Sequence, residues 1–415
     1  MKQAKKYHWI QGFSLLQLIM ASAANAGTCE DLNTAQNVVN CALERHPTLR
    51  IASLDSEQAK NNISFASLRP NPEVNNQTTF GGDRSDSFYT ELNFAHTFEL
   101  GGKRNSRIEK AEANYKLSIV AEAQTREDVF LSVIQHLYRI RQIRDELETI
   151  DDALRTFSQM GARYRSRPSL NPDQISTLRI FEIAEQDYRL RKIPLESEQD
   201  FRSRELGIAL GTEFTPNDRN LPPRKTVWPK LEAVPNGIRE STRLKQAHAL
   251  AEIANADLLL AKGFSWPDLK IGPTVTTQRM GQVRSSSFGF NFTLPLPIYH
   301  LNGAGKTLAE TSIQRAKFAQ DFIERESGDQ IEYYKSRYEN AVKVLSSSLS
   351  FTEIARKHSE VESFFGKGFV SGTVVIEVHR QVSDFVKTFN EQELAAVESR
   401  ARFYTLQGKI VGISE

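Results

Sequence analysis

The stretch FYTELNFAHTF, residues 88–98, alternates strictly. Phe88, Thr90, Leu92, Phe94, His96 and Phe98 fall on one parity, and Tyr89, Glu91, Asn93, Ala95 and Thr97 on the other. A strand sends successive side chains to opposite faces, so this segment has one apolar and one polar face. Farther along, FGFNFTLPL (288–296) repeats the pattern, with Phe288, Phe290, Phe292, Leu294 and Leu296 set against Ser287, Gly289, Asn291, Thr293 and Pro295. Each follows a polar stretch rich in Gly, Ser and Arg (81–87; 278–287) and, before that, a weaker candidate strand (73–80; 268–277). The pattern predicts two hairpins, four strands in all.

Strands of about ten residues are long enough to cross an outer membrane as a tilted barrel, in which lipid-facing and lumen-facing side chains alternate. A half-buried soluble sheet would show the same alternation. Number separates the two: an open edge in lipid leaves backbone groups unpaired, and membrane barrels begin at about eight strands. Two copies of this chain would give a bore filled by side chains, whereas three would give twelve strands and begin to open a lumen. The expectation is a homotrimer whose barrel meets outer-membrane lipid through Phe88, Leu92, Phe94, Phe98, Phe288, Phe290, Phe292 and Leu294. His96, on the greasy parity, is expected at the membrane interface.

Outside the strands the period changes. Ile119, Arg126, Val133, Ile140, Leu147 and Leu154 recur at seven-residue spacing with Phe130 and Leu137 at companion positions, a coiled-coil seam over 105–165. At about 1.5 Å per residue such a helix spans roughly 90 Å. The return segment 173–210 carries Pro194, which is expected to kink or break it. GARYRSRPSLNP (161–172) reads as the turn, and GKGFVSGT (366–373) as its later counterpart.

The two halves match weakly but in order. Leu49, Ala66 and Pro72 correspond to Leu244, Ala261 and Pro267; Asn93 and Phe94 to Asn291 and Phe292; Ile108 and Ala111 to Ile313 and Ala316; Gly211 to Gly408. Chance matches would not keep one order, so the chain reads as a duplication over 27–213 and 236–415. Each copy is a helix, two strands, a long helix, a turn and a long helix. The segment 214–235 between them holds Pro216, Pro222, Pro223, Pro229 and Pro235, which exclude a continuous helix.

Composition narrows the function. The 415 residues carry 53 Lys+Arg against 51 Asp+Glu, a net charge of +2 that supplies no bulk attraction to nucleic acid. Mean hydropathy is −0.45, and no apolar run beyond the N-terminus approaches the roughly 20 residues of a membrane helix, which excludes a helical membrane transporter. Residues 1–26 read as a secretory signal peptide: Lys2, Lys5 and Lys6, an apolar run over 13–24, then Ala24-Asn25-Ala26. Export would place Cys29 and Cys41 in an oxidising compartment as a candidate disulfide pair. A continuous helix between them, however, would hold the sulfurs about 18 Å apart.

Other motifs are read as structural. Gly303-Ala304-Gly305-Lys306-Thr307 is similar to a phosphate loop, but that pattern needs glycine where His300 stands, so the segment reads as a strand-to-helix turn. Gly101-Gly102-Lys103-Arg104 is its first-half equivalent, with basic side chains that are either solvated or placed near lipid headgroups. His46, His248, His300, His358 and His379 are scattered and expected at the surface. With no Cys-x-x-Cys spacing either, no metal site is expected. No nucleophile, base or cofactor constellation is present, so the chain is not read as an enzyme and calls for no cofactor.

Two tandem copies of helix, hairpin, long helix and returning helix resemble the TolC family of outer-membrane efflux channels. LERHPTL (43–49) resembles the family's opening helix, RPNPEV (69–74) its entry to the first strand, and LPLPIYHLNGAGK (294–306) its second strand-to-helix passage. FELGGKR (98–104) is similar to the first-repeat passage of the branch associated with heavy-metal cation efflux. Thr97 and Phe98 stand where a more polar approach is common, and the proline of SLNPDQ (169–174) is unusual. The resemblance implies a mainly α protein with a β-barrel portion. Three copies would form a twelve-stranded barrel in the outer membrane of a Gram-negative cell and a coiled-coil tunnel through the periplasm. It also implies a periplasmic adaptor (membrane fusion protein) and an inner-membrane pump of the proton-driven RND type as partners. The helical turns, with Gly161, Leu170, Asn171, Pro172, Gly366, Gly368, Val370, Ser371 and Gly372, would contact the adaptor and govern opening. Heavy-metal cations are the cargo this implies, with drug efflux or type I secretion as alternatives. A soluble periplasmic coiled-coil adaptor fits less well, since it needs Gly-rich β domains flanking a single helical hairpin.

Overall fold

The computed structural model describes residues 29, 31–81, 87–235 and 237–412; the expected signal peptide, 1–26, lies outside them. The elements run α1 (Ala35–Arg45), α2 (Pro47–Ala66), β1 (Glu73–Phe80), β2 (Phe88–Phe98), α3 (Lys103–Arg165), α4 (Pro172–Leu210), α5 (Gly237–Glu240), α6 (Thr242–Gly263), β3 (Leu269–Met280), β4 (Val283–Thr293), α7 (Gly303–Ser347), α8 (Phe351–Gly366) and α9 (Gly372–Thr405). The described residues are therefore mainly helical with four strands, in one antiparallel sheet of order β1-β2-β3-β4.

The second hairpin is tighter than its sequence suggests. The polar stretch 278–287 is almost all strand, and the turn is only Gly281 and Gln282, with Gly281 at φ +60°. A two-residue hairpin turn needs positive φ, which glycine adopts without steric cost. β4 also stops at Thr293, ahead of Pro295 and Pro297, which cannot donate to a ladder.

The helix α3 has 63 residues, about 95 Å at the usual rise. Its seam does not keep the heptad throughout. Ile119 and Arg126 are exposed, while the lower stretch buries Val133, Leu137, Ile140, Ile150, Ala153 and Phe157. The partner changes along the helix: α2 and α6 flank its upper part, α4 and α9 its lower part. One fixed stripe cannot serve both.

Helix α4 passes unbroken through Pro194, contrary to expectation. An internal proline costs about 3 kcal/mol in an exposed helix. Here both flanks are anchored, by buried Tyr188 before it and by Leu206, Ala209 and Leu210 after it. The second half breaks instead. Helix α7 ends at Ser347, and α8 restarts behind Ser350, whose side chain accepts from Glu353 N while Glu353 reaches back to Ser350 N. This reciprocal cap satisfies two helix-end donors.

The largest core joins α1, α3 and α4 around Val38, Phe130, Leu137, Tyr138, Leu206 and Leu210. Cys29 and Cys41 form a disulfide with Cα atoms 5.0 Å apart. The geometric objection disappears because α1 begins only at Ala35, leaving the chain before it free to fold back. The proline-rich segment 214–235 is a docked strap. Pro229 O accepts from Tyr338 Oη at 2.6 Å, Lys225 N donates to Glu393 Oε1 at 3.1 Å, and Val234 N donates to Gln407 Oε1 at 2.9 Å.

Candidate functional site

The sheet presents two unlike faces. Cross-strand register places Leu92 opposite Val275 and Val275 opposite Phe288, with Ile271 opposite both His96 and Phe292, so the apolar parity is continuous across the helix-proximal part of β2, β3 and β4. Phe288, Phe290 and Phe292 are 69%, 74% and 62% exposed, and Leu92, Phe94 and Phe98 are also exposed; Phe88 is half-covered. Leu294 lies one residue beyond β4. His96 sits near the end of β2 that leads to α3, its ring edge-on to Phe98 at 4.8 Å. The opposite face is polar: the Tyr89 hydroxyl donates to Glu91 at 2.6 Å, Asn93 donates to Glu91 at 2.8 Å, and Lys270 pairs with Glu73 at 2.8 Å. Strands β1 and β4 are the two edges.

Both strand-to-helix passages turn on a left-handed residue, glycine in the first and Asn302 in the second. Gly101 has φ +70°, and a Cβ there would lie 2.6 Å from Gly263 O. Asn302 takes the left-handed conformation before α7, and its side chain donates to Ala261 O at 2.8 Å. Lys103 is neither solvated nor free for a lipid headgroup. It is buried, and its Nζ lies 2.7 Å from Asp268 Oδ1, which ties the first passage to the start of the second hairpin. A buried cation demands such a partner. Gly303 to Thr307, read as the turn itself, instead lie in the first turn of α7, because the left-handed Asn302 just before them already reverses the chain.

The far ends of the helices form two adjacent tips. The first is shorter than expected: Gly161 is buried inside α3, and only residues 166–171 turn. Asn171 caps α4, accepting from Gln174 N at 2.8 Å, with Pro172 in the first helical turn and Leu170 half-covered beside it. At the second tip Gly366 ends α8, Gly368 takes φ +78°, Val370 is half-covered, and Ser371 precedes α9. Gly372 brings the tips together, since a Cβ there would lie 2.7 Å from Thr177 Cγ2 and 2.8 Å from Phe181 Cε2 of α4.

Residues 38–167 match the family model described as Outer membrane efflux protein. Among solved structures the chain is similar to CusC at 17% identity and a TM-score of 0.71, covering 91% of this chain and 92% of that one. It is similar to the open state of the Neisseria gonorrhoeae MtrE outer membrane channel at 17% identity and a TM-score of 0.69, covering 91% and 89%. The Campylobacter jejuni CmeC outer membrane channel matches at 16% identity and a TM-score of 0.69, covering 93% and 88%. The chain has the fold of the outer-membrane efflux channels. No curated protein matches its sequence.

Two histidines of this channel fold are not at the surface. His358 on α8 and His379 on α9 are buried, with nitrogens 3.1 Å apart, whereas His248 and His300 are exposed and His46 caps α2. Glu362 Oε1 lies 3.2 Å from His379 Nε2, and Asp152 Oδ2 of α3 lies 3.9 Å from His358 Nδ1. Burial, and then the facing His358, push the His379 imidazole down to about 4. The sequence did hold a signal for this group. His358 and Glu362 are four residues apart on one helix face, and His379 follows across a short turn, so the returning helix passes alongside. Reading the histidines singly concealed it.

Proposed function

We propose that the protein is the outer-membrane exit duct of a tripartite efflux system, passive itself and fed by a periplasmic adaptor and an energised inner-membrane pump. The observation that carries this reading is the four-stranded sheet, apolar on one face, polar on the other and open at both edges. Open edges in lipid are costly, and lateral pairing of β4 of one copy with β1 of the next removes them. Three copies give twelve strands, with Phe288, Phe290 and Phe292 toward lipid and Glu91, Asn93 and Lys270 toward a wet bore. Apolar side chains along the long helices support the same assembly. Ile183, Leu190, Ile193 and Phe201 on α4, and Leu308, Phe318 and Phe322 on α7, are exposed in the single chain, as an intersubunit seam requires.

The FELGGKR passage favours heavy-metal cations and an RND-type pump over drugs or secreted proteins. The adaptor would engage the paired tips, where Phe369 is 75% exposed beside the left-handed Gly368. The purified, detergent-solubilised protein should run as a trimer and conduct in planar bilayers, and it should resist extraction from membranes by salt or carbonate. Extraction into the soluble fraction would sink the channel reading. A deletion strain should gain sensitivity to divalent transition metals; sensitivity to drugs alone would keep the duct and replace the cargo.

A further inference from the structure

Two imidazoles and two carboxylates from three helices converge close above the second tip, and nothing in the duct's function requires them there. His358 and Glu362 come from α8, His379 from α9 and Asp152 from α3, and one ligand atom from each lies within 4.8 Å of the others. We propose that these four side chains form a binding site for a divalent first-row transition cation of the zinc or cobalt type.

The spacing suits such an ion. Metal–ligand bonds of about 2.0–2.1 Å in a tetrahedron place neighbouring donors roughly 3.3 Å apart. His379 Nε2 lies 3.3 Å from His358 Nε2 and 3.2 Å from Glu362 Oε1, while the contact of His358 Nε2 with Glu362 Oε1 is 4.0 Å. Three donors therefore stand near the required triangle, and the Asp152 carboxylate, within 4.8 Å of the other ligand atoms, is the fourth.

Charge and chemistry agree. Among the described residues no Lys or Arg pairs with Glu362; its Oε1 faces the two imidazoles and accepts from the Thr156 hydroxyl at 3.0 Å. Asp152 shares its Oδ1 with Arg155 at 3.1 Å and turns Oδ2 toward His358, so a divalent ion would chiefly neutralise Glu362, which the Thr156 hydroxyl would orient as outer-shell partners do. Phe157 stands edge-on to His379 at 5.2 Å and backs the imidazole side of the site, while Asp152 and Glu362 keep one side open to solvent, by which an ion could enter. Two imidazoles disfavour calcium and magnesium, which take oxygen ligands.

The site would act as a clamp. Helix α8 has a single buried side chain, His358, so an ion shared with α3 and α9 would pin a helix that apolar packing holds weakly. This inference does not depend on what the duct conducts, because binding is read on the solubilised protein without transport.

The test uses the full-length protein in detergent, stripped with chelator and titrated with Zn²⁺ by calorimetry and with Co²⁺ by visible absorption. One ion per chain is expected, with Co²⁺ giving the intense bands of tetrahedral coordination. H379A should weaken Zn²⁺ binding by about 100-fold or more, and D152N, which keeps the shape of the side chain, by about 10-fold. H248A together with H300A should leave it unchanged. Helical content by circular dichroism and trimer size keep loss of ligand distinct from loss of fold, and H358Q provides a polar replacement should H379A misfold. Absence of stoichiometric binding in the unaltered protein would overturn the site, as would unchanged affinity in folded H358Q and D152N.

Discussion

The lower arms of the two halves have the same course but different construction. In the first, α3 runs without interruption to its tip and packs on α4 through Ile150, Ala153, Phe157, Met160, Phe181 and Tyr188, all buried. In the second, α7 stops, a serine-rich gap follows, and α8 completes the descent with only His358 buried. Apolar burial stabilises in proportion to the area removed from water. The first arm is consequently a rigid post, and the second is a jointed one, held by a capping box, aromatic edges and a polar cluster.

The sharpest way to break this contrast is to hollow out the post. Phe157 is fully buried, against Phe181, Tyr188 and His379, so Phe157→Ala should cost about 3–5 kcal/mol. Phe364→Ala on α8, at a side chain 45% exposed, should cost less than about 1 kcal/mol. Thermal unfolding in detergent reads both, and amide exchange adds a local view, with α8 expected to exchange well ahead of lower α3. Equal losses from the two substitutions, together with equal exchange, would mean the arms do not differ.

The upper end of the first half carries the staple. Cys29 and Cys41 close a loop of sequence separation 12, which on loop-entropy grounds contributes about 3 kcal/mol. A double Cys→Ser protein should unfold earlier by that amount, and reductant should lower the unaltered protein to the same midpoint. A midpoint indifferent to reductant would show that α1 is held by its apolar contacts alone. At the joint of the second half, Ser350→Ala removes one side of the reciprocal cap and should cost about 1 kcal/mol, seen as faster exchange confined to the first turn of α8. Exchange unchanged there would show that the joint is fixed by something other than its cap.

Much of this architecture was legible because it repeats with a period. Two-residue alternation located β2 to the residue, and heptad spacing located α3 within two residues of its observed start. What escaped was tertiary in origin. The proline at 194 overrode nothing once its flanks were buried, and Gly161 stayed helical because α3 still had a partner below it. Lys103 was misread because its partner, Asp268, lies in the other half, and the His358–His379 pair because its members belong to different helices. Local propensity cannot report contacts across such separations.

The smallest expected effect probes the contact between the halves themselves. Glu127 on α3 accepts from the Thr242 hydroxyl at the start of α6 at 2.9 Å, and burial raises its carboxyl to about 7, with Asp128 adding to the rise and Thr242 and Lys245 opposing it. The folded chain thus holds this proton more tightly than the unfolded one. The stability so gained is complete below the ordinary carboxyl value near 4.5 and is lost as pH rises to about 7. Because the carboxyl keeps partial contact with solvent, the penalty above pH 7 should be much smaller than that full shift would imply. Glu127→Gln keeps an acceptor for Thr242 and cannot ionise, so it should stabilise the protein at pH 8 and make no difference at pH 4.5. Equal midpoints for the two proteins at both pH values would show that the carboxylate is solvated, and that the two halves meet there through water.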